Sequence, residues 1–154
     1  MNNITINSNS NDIKEMEKLF PRAPLKIIAM EGCKELGQKV NDYIVNFRQS
    51  SYREELKSPM YATYLQDNYL VDAHCPRFGS GEAKGVLNES VRGKDLFIMT
   101  DVCNYSLTYS VNGYVNHMSP DDHYQDLKRM IAAANGKARR ITVIMPFLYE
   151  SRQH

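Results

Sequence analysis

The sequence predicts an α/β fold: a three-layer α/β/α arrangement around a mostly parallel central sheet. Three observations carry this. Unbroken apolar runs at 25–30 (LKIIAM), 95–100 (DLFIMT) and 141–145 (ITVIM) have the character of strands buried on both faces. Apolar residues at helical spacing follow the first run and precede the last. Buried strands joined through helices favour parallel pairing with helices on both faces of the sheet.

The elements follow in order. Residues 1–11 are rich in Asn and Ser and are expected to be a mobile tail. Asp12 can cap a short helix with Ile13, Met16, Leu19 and Phe20 on one face, and Pro21 ends it. Residues 1–24 are therefore tail and short helix, and 25–154 are the domain. After the first strand, Glu31-Gly32 turns the chain. Leu36, Val40, Tyr43, Ile44 and Phe47 then predict an amphipathic helix from Cys33 to about Arg48. The stretch 49–76 reads as an insertion, with room for one helical turn at Tyr52–Leu56. Glu82–Leu87 reads as an edge strand weakened by Gly85, and 103–118 as a polar loop. Ser119-Pro120-Asp121-Asp122 is a helix start: a Ser cap, Pro at the first position, Asp at the third. Tyr124, Leu127, Ile131 and Ala134 should face inward, and Gly136 should end the helix.

Composition excludes several function classes. The chain has 154 residues, with 19 Lys plus Arg against 18 Asp plus Glu. That balance lacks the basic face of a nucleic-acid binder. No run approaches the roughly 18 apolar residues of a membrane span, and the amino terminus lacks a signal-peptide pattern. Three widely spaced cysteines fit a reducing compartment, so a cytoplasmic location is expected.

The chemistry is sparse. His74, Cys75, Cys103, His117 and His123 adopt no zinc-ligand spacing. No G-x-S-x-G, P-loop or G-x-G-x-x-G occurs. No catalytic or metal residue is assigned. Two segments remain. In 77–82 (RFGSGE), Phe78 could offer its ring to a base, and Glu82 could accept from an exocyclic amine. On chemistry alone, a hairpin with a core Phe and a solvated Glu is the favoured reading. In 147–153, Arg152 and Gln153 follow a buried strand, where an anionic ligand such as a polyphosphate would be held. A polar tail explains them equally well.

Taken together, FGSGE at 78–82, ESVRGKDLFIM at 89–99 and ARRITVIMPFLYESRQH at 138–154 resemble ribose-phosphate pyrophosphokinases, also called phosphoribosyl pyrophosphate synthetases. Members carry an F-S-D-G-E turn, an E-S-V-R-G-x-D strand, and K-R-I-T-x-V-I-P-Y leading to Y-x-R-Q-D. The opening strand and helix, LKIIAMEGCKELGQKVNDYI, also look like the start of the family's first domain. The resemblance covers roughly 25–154, with longer stretches than usual near 49–76 and 103–120. It implies the N-terminal domain of the phosphoribosyltransferase-like fold.

The resemblance also implies roles. Phe78 and Glu82 match residues that hold adenine and reach into a neighbouring subunit's site, so a homo-oligomer is expected. Ser80 stands where the family has Asp. Arg152 and Gln153 match the pair that contacts ATP, and His154 replaces another Asp. Ser90 and Arg92 match residues near an effector phosphate site of some members. The family is about twice as long. Its catalytic loop, metal-binding His and ribose-phosphate loop have no counterpart here. The expectation is an N-terminal half of an enzyme that moves pyrophosphate from ATP to ribose 5-phosphate. Its magnesium ligands would lie in the missing part, and the chain alone would be inactive. A non-catalytic relative that regulates active subunits is the alternative. A third reading is an unrelated nucleotide-binding module with a flavodoxin-like sheet.

Overall fold

The three apolar runs form one parallel sheet. The structure is a computed structural model that describes residues 23–50 and 63–152. The expected tail and helix within 1–22, the helical turn at Tyr52–Leu56, Gln153 and His154 lie outside the described residues. Strands β1 (Leu25–Ala29), β4 (Asp95–Met99) and β7 (Arg140–Ile144) pair in the order β1-β4-β7, all parallel. The stretch around Leu70 runs parallel beside β1: Ile27 N–H donates to Tyr69 O, and Val71 N–H to Ile27 O, both at 2.8 Å.

A helix covers each face, as the three-layer prediction requires. Alternation along β1 and β4 sends Ile28, Leu96 and Ile98 to one face. There they pack with Leu127, Met130 and Ala134 of α2 (Pro120–Ala134). Ile27 and Met99 point the other way, into a cluster with Cys33, Tyr69 and the Val40, Ile44 and Val45 side chains of α1 (Lys34–Ser50). Helix α2 starts as the sequence indicates. Ser119 Oγ accepts from Asp122 N–H at 3.1 Å, and Asp122 accepts from Ser119 N–H at 2.9 Å. Its end is set by Asn135 at φ 49°, with Gly136 following at φ 63°.

Expectations about burial need correction. The strands at 25–30, 95–100 and 141–145 were expected to be buried on both faces, yet β7 is the sheet edge, with Val143 38% and Ile144 40% exposed. An apolar run shows a strand's character and not its neighbours. Helix α1 buries Gly37 and Asn41, while Leu36, Tyr43 and Phe47 of the expected inner face are exposed, Tyr43 by 72%. Val40 and Ile44 face inward as expected, and the helix lies so close to β1 that only a glycine fits opposite Ala29. In α2, Leu127 and Ala134 are buried and Tyr124 packs against the core as expected, but Ile131 is exposed and Met130 is buried in its stead.

Two small antiparallel ribbons complete the fold. The first joins β2 (Ala73–His74) to β3 (Val86–Leu87), which is shorter than the strand expected over 82–87. The second joins β5 (Thr108–Val111) to β6 (Tyr114–His117), inside the stretch read as a loop. Its turn is Asn112-Gly113, with φ of 50° and 83°. Both residues occupy the left-handed region that a two-residue hairpin demands.

Candidate functional site

The ribbon from 73 to 87 is a hairpin whose tip is 78–82. Phe78 N–H donates to Glu82 O at 2.8 Å, and Gly81 N–H to Phe78 O at 2.9 Å. Gly81 has φ 88°, a conformation that favours glycine. The tip is fixed by local geometry and not by burial of its aromatic ring. Phe78 is 50% exposed, so the hairpin is real but its Phe is not core. Ser80 Oγ donates to Glu82 Oε2 at 2.9 Å, and both side chains are at the surface. One carboxylate oxygen of Glu82 is engaged, while the group as a whole faces solvent. An exposed ring beside an acceptor can stack on a flat heterocycle and accept from its amine.

The tip is held from behind by Arg77. Its side chain is 11% exposed and donates through Nη2 to Asp126 Oδ2 of α2 at 3.0 Å. Asp126 also takes Arg129 Nη1 at 2.7 Å on its other oxygen. The guanidinium carbon of Arg77 lies over the Tyr109 ring, 4.6 Å from its centre. Cys75 lies against this cluster, its Sγ 3.8 Å from Asp126 O. Burial, reinforced by the Asp126 charge, pushes its thiol up to about 11. It is protonated at neutral pH and is no nucleophile. Gly85 brings the hairpin onto α2, where an added Cβ would sit 2.5 Å from Arg129 O. A cavity of about 260 Å³ opens at the carboxyl ends of β1 and β4, with Glu31, Thr100, Tyr109 and His123 in its wall. This is the sheet edge where open α/β folds bind ligands.

The second segment follows β7. Tyr149 stacks on Tyr124 with ring centres 4.2 Å apart and donates to Asp121 at 2.5 Å. That hydrogen bond pushes its phenol up to about 12. Arg152 lies over the Phe147 ring at 5.5 Å and is exposed at the carboxyl end of β7, as expected.

The Phe78 tip and the Arg152 turn are anchored at different residues of α2. At about 100° per residue, Tyr124 and Asp126 lie roughly 160° apart around α2. The anchor of the Phe78 tip and the anchor of the Arg152 turn therefore hang on opposite flanks of one helix. Ser90 and Arg92 lie at the other end of the sheet. They form the turn before β4, where Ser90 Oγ accepts from Arg92 N–H at 3.3 Å, at the amino edge of the sheet. Five strand residues, roughly 16 Å, separate them from the carboxyl edge.

Sequence reasoning missed Arg77 and Tyr109. The Asn-Gly pair at 112–113, flanked by Tyr109, Val111 and Val115, was the available signal for the ribbon that carries Tyr109. Among the described residues, no group of three or more His, Cys, Asp or Glu could hold a metal ion. No helix among them is long and apolar enough to cross a membrane.

Comparison with known proteins supplies the context. The family model for the N-terminal domain of ribose phosphate pyrophosphokinase matches residues 25–154. Ribose-phosphate pyrophosphokinase B of Dictyostelium discoideum is 32% identical over 78 residues, which is 50% of this chain and 20% of that protein. The match therefore spans about a fifth of that relative's length.

Proposed function

The chain belongs to the ribose phosphate pyrophosphokinase family as its N-terminal domain, and from that premise we propose that the full protein transfers pyrophosphate from ATP to ribose 5-phosphate. The reaction is an in-line displacement. The anomeric hydroxyl oxygen attacks the β-phosphorus, the bond to the α-phosphate bridge breaks, and AMP leaves. Such chemistry depends mostly on positioning and charge neutralisation. The product would feed nucleotide biosynthesis.

The observation that carries this reading is the hairpin tip, a family motif whose Phe78 ring is half exposed and held in place by hydrogen bonds. Phe78 and Glu82 would take the adenine, and Arg152 and Gln153 the phosphates. The two anchors lie on opposite flanks of α2. That arrangement favours a homo-oligomer in which one subunit's tip completes another's site. Ser90 and Arg92 would serve a separate effector phosphate. Magnesium would neutralise the phosphate charge. By the family resemblance, its ligands would belong to a second domain that follows this one in the family. The 154-residue chain alone is then inactive.

A second reading has one observation in its favour. Ser80 stands in place of the family's acid and occupies one Glu82 oxygen. A regulatory relative that assembles with active subunits would tolerate such a change. Formation of phosphoribosyl pyrophosphate by the full protein, with none from the 154-residue chain, supports the enzyme. An inert full protein that alters the rate of an active synthetase would favour the regulator.

A further inference from the structure

We propose that Tyr109 and the β5–β6 ribbon position the nucleotide-binding tip, acting through Arg77. The inference rests on the reading of 78–82 as that tip. It names a residue that neither the family motif nor the tip itself contains.

The geometry is specific. Alternation along β5 puts Tyr109 and Val111 on one face, half-buried, while Thr108 and Ser110 are exposed. Both inward residues meet the base of the tip. Tyr109 lies under the Arg77 guanidinium. Val111 Cγ2 is 3.5 Å from where a Cβ on Gly81 would stand. The ribbon is itself fixed to α2 at its root, where the His123 ring nitrogen Nε2 lies 2.7 Å from Asn104 O. Met118 is buried and its N–H donates to Leu107 O at 2.8 Å, closing the ribbon.

Arg77 receives three constraints of different kinds. Asp126 holds one end of the guanidinium, through Nη2 at 3.0 Å. Gly81 O, 3.4 Å from Nη1, is a long contact on the tip side. The Tyr109 ring lies against the guanidinium carbon, its centre 4.6 Å away, and bars movement to that side. Without the ring, Arg77 can stay paired to Asp126 while swinging away from Gly81. The tip would keep its fold but lose its fixed place. Tyr109 is therefore a positioning residue and not a catalytic one.

The test compares Tyr109→Leu, Tyr109→Phe and Phe78→Ala in the full protein. It reads amide hydrogen exchange at Phe78 and Gly81, and ATP affinity by calorimetry. Tyr109→Leu should speed exchange at both amides and weaken ATP binding, each by about tenfold, the scale of a desolvated cation–π contact. Tyr109→Phe keeps the ring and should restore both. Unchanged exchange in Tyr109→Leu would overturn the proposal. So would unchanged ATP affinity in Tyr109→Leu when Phe78→Ala weakens it. If Phe78→Ala has no effect on ATP affinity, the nucleotide reading itself fails, and the proposal falls with it even where exchange has moved.

Discussion

Replacing Gly37 by Ala should reverse its energetic sign according to what stands at residue 29. Gly37 lies near the start of α1 and is buried against β1. A Cβ added there would meet Ala29 Cβ at under 3.0 Å. Apolar carbons settle at roughly 3.5–4.0 Å, so helix and strand would have to part by more than about half an ångström. Neither atom is the end of a flexible side chain, so the backbone must move. Overpacking of this kind costs about 1–3 kcal/mol. Against it stands the helical preference for Ala over Gly, up to about 1 kcal/mol. Gly37→Ala alone should therefore destabilise, by about 1 kcal/mol. With Ala29→Gly in place, the nearest remaining neighbours are Leu70 Cδ2 at 3.7 Å and the residue 29 Cα at 3.8 Å, ordinary contacts. In that background the same substitution should stabilise by up to about 1 kcal/mol, a coupling of about 2 kcal/mol. Urea unfolding followed by far-ultraviolet circular dichroism on the four variants completes the cycle. A stabilising Gly37→Ala in the wild-type background would refute the claim that α1 is held at this distance by its glycine.

Three other outcomes follow from the site's surroundings. Asp126→Asn leaves the Arg77 and Arg129 guanidiniums without their carboxylate in a buried place, and should cost about 3–5 kcal/mol in the same unfolding assay; a loss below about 1 kcal/mol would mean that solvent reaches the pair. Ser119→Ala removes half of a reciprocal cap and should cost about 1 kcal/mol; no change in midpoint would show that Asp122 alone suffices. Cys75 has a folded value raised to about 11 from an ordinary 9.0, so its contribution to stability is complete below pH 9 and is lost as pH rises toward 11. Its alkylation by iodoacetamide in the folded chain should climb steadily across that interval, and a rate already level at pH 9 would contradict the burial argument.

Much of the architecture was legible because its signals are local. The apolar runs of β1 and β4, and the Ser119–Asp122 cap, each depend on a few adjacent residues, and each appears where expected. What was not legible depends on distant partners. The buried face of α1 includes Gly37 against Ala29, a contact that a tally of large apolar residues cannot register. The exposure of Val143 and Ile144 follows from which strands lie beside β7. The tip at 78–82 was readable as a turn, yet its support was not. Arg77 meets Asp126 across 49 positions, and Tyr109 lies on a ribbon announced only by Asn112-Gly113. The separation of the Phe78 tip from the Arg152 turn likewise appears only once both are seated on α2.

The central claim is that Phe78 is a ligand contact and not a core residue. Calorimetric titration of the full protein with ATP, wild type against Phe78→Ala, tests it most directly when paired with thermal melts of both. The ring is half exposed, so the melting temperature should stay the same. Affinity should fall by about 1–3 kcal/mol, the scale of a base stacked on an aromatic side chain. A lowered melting temperature with unchanged affinity in the folded fraction would contradict the account.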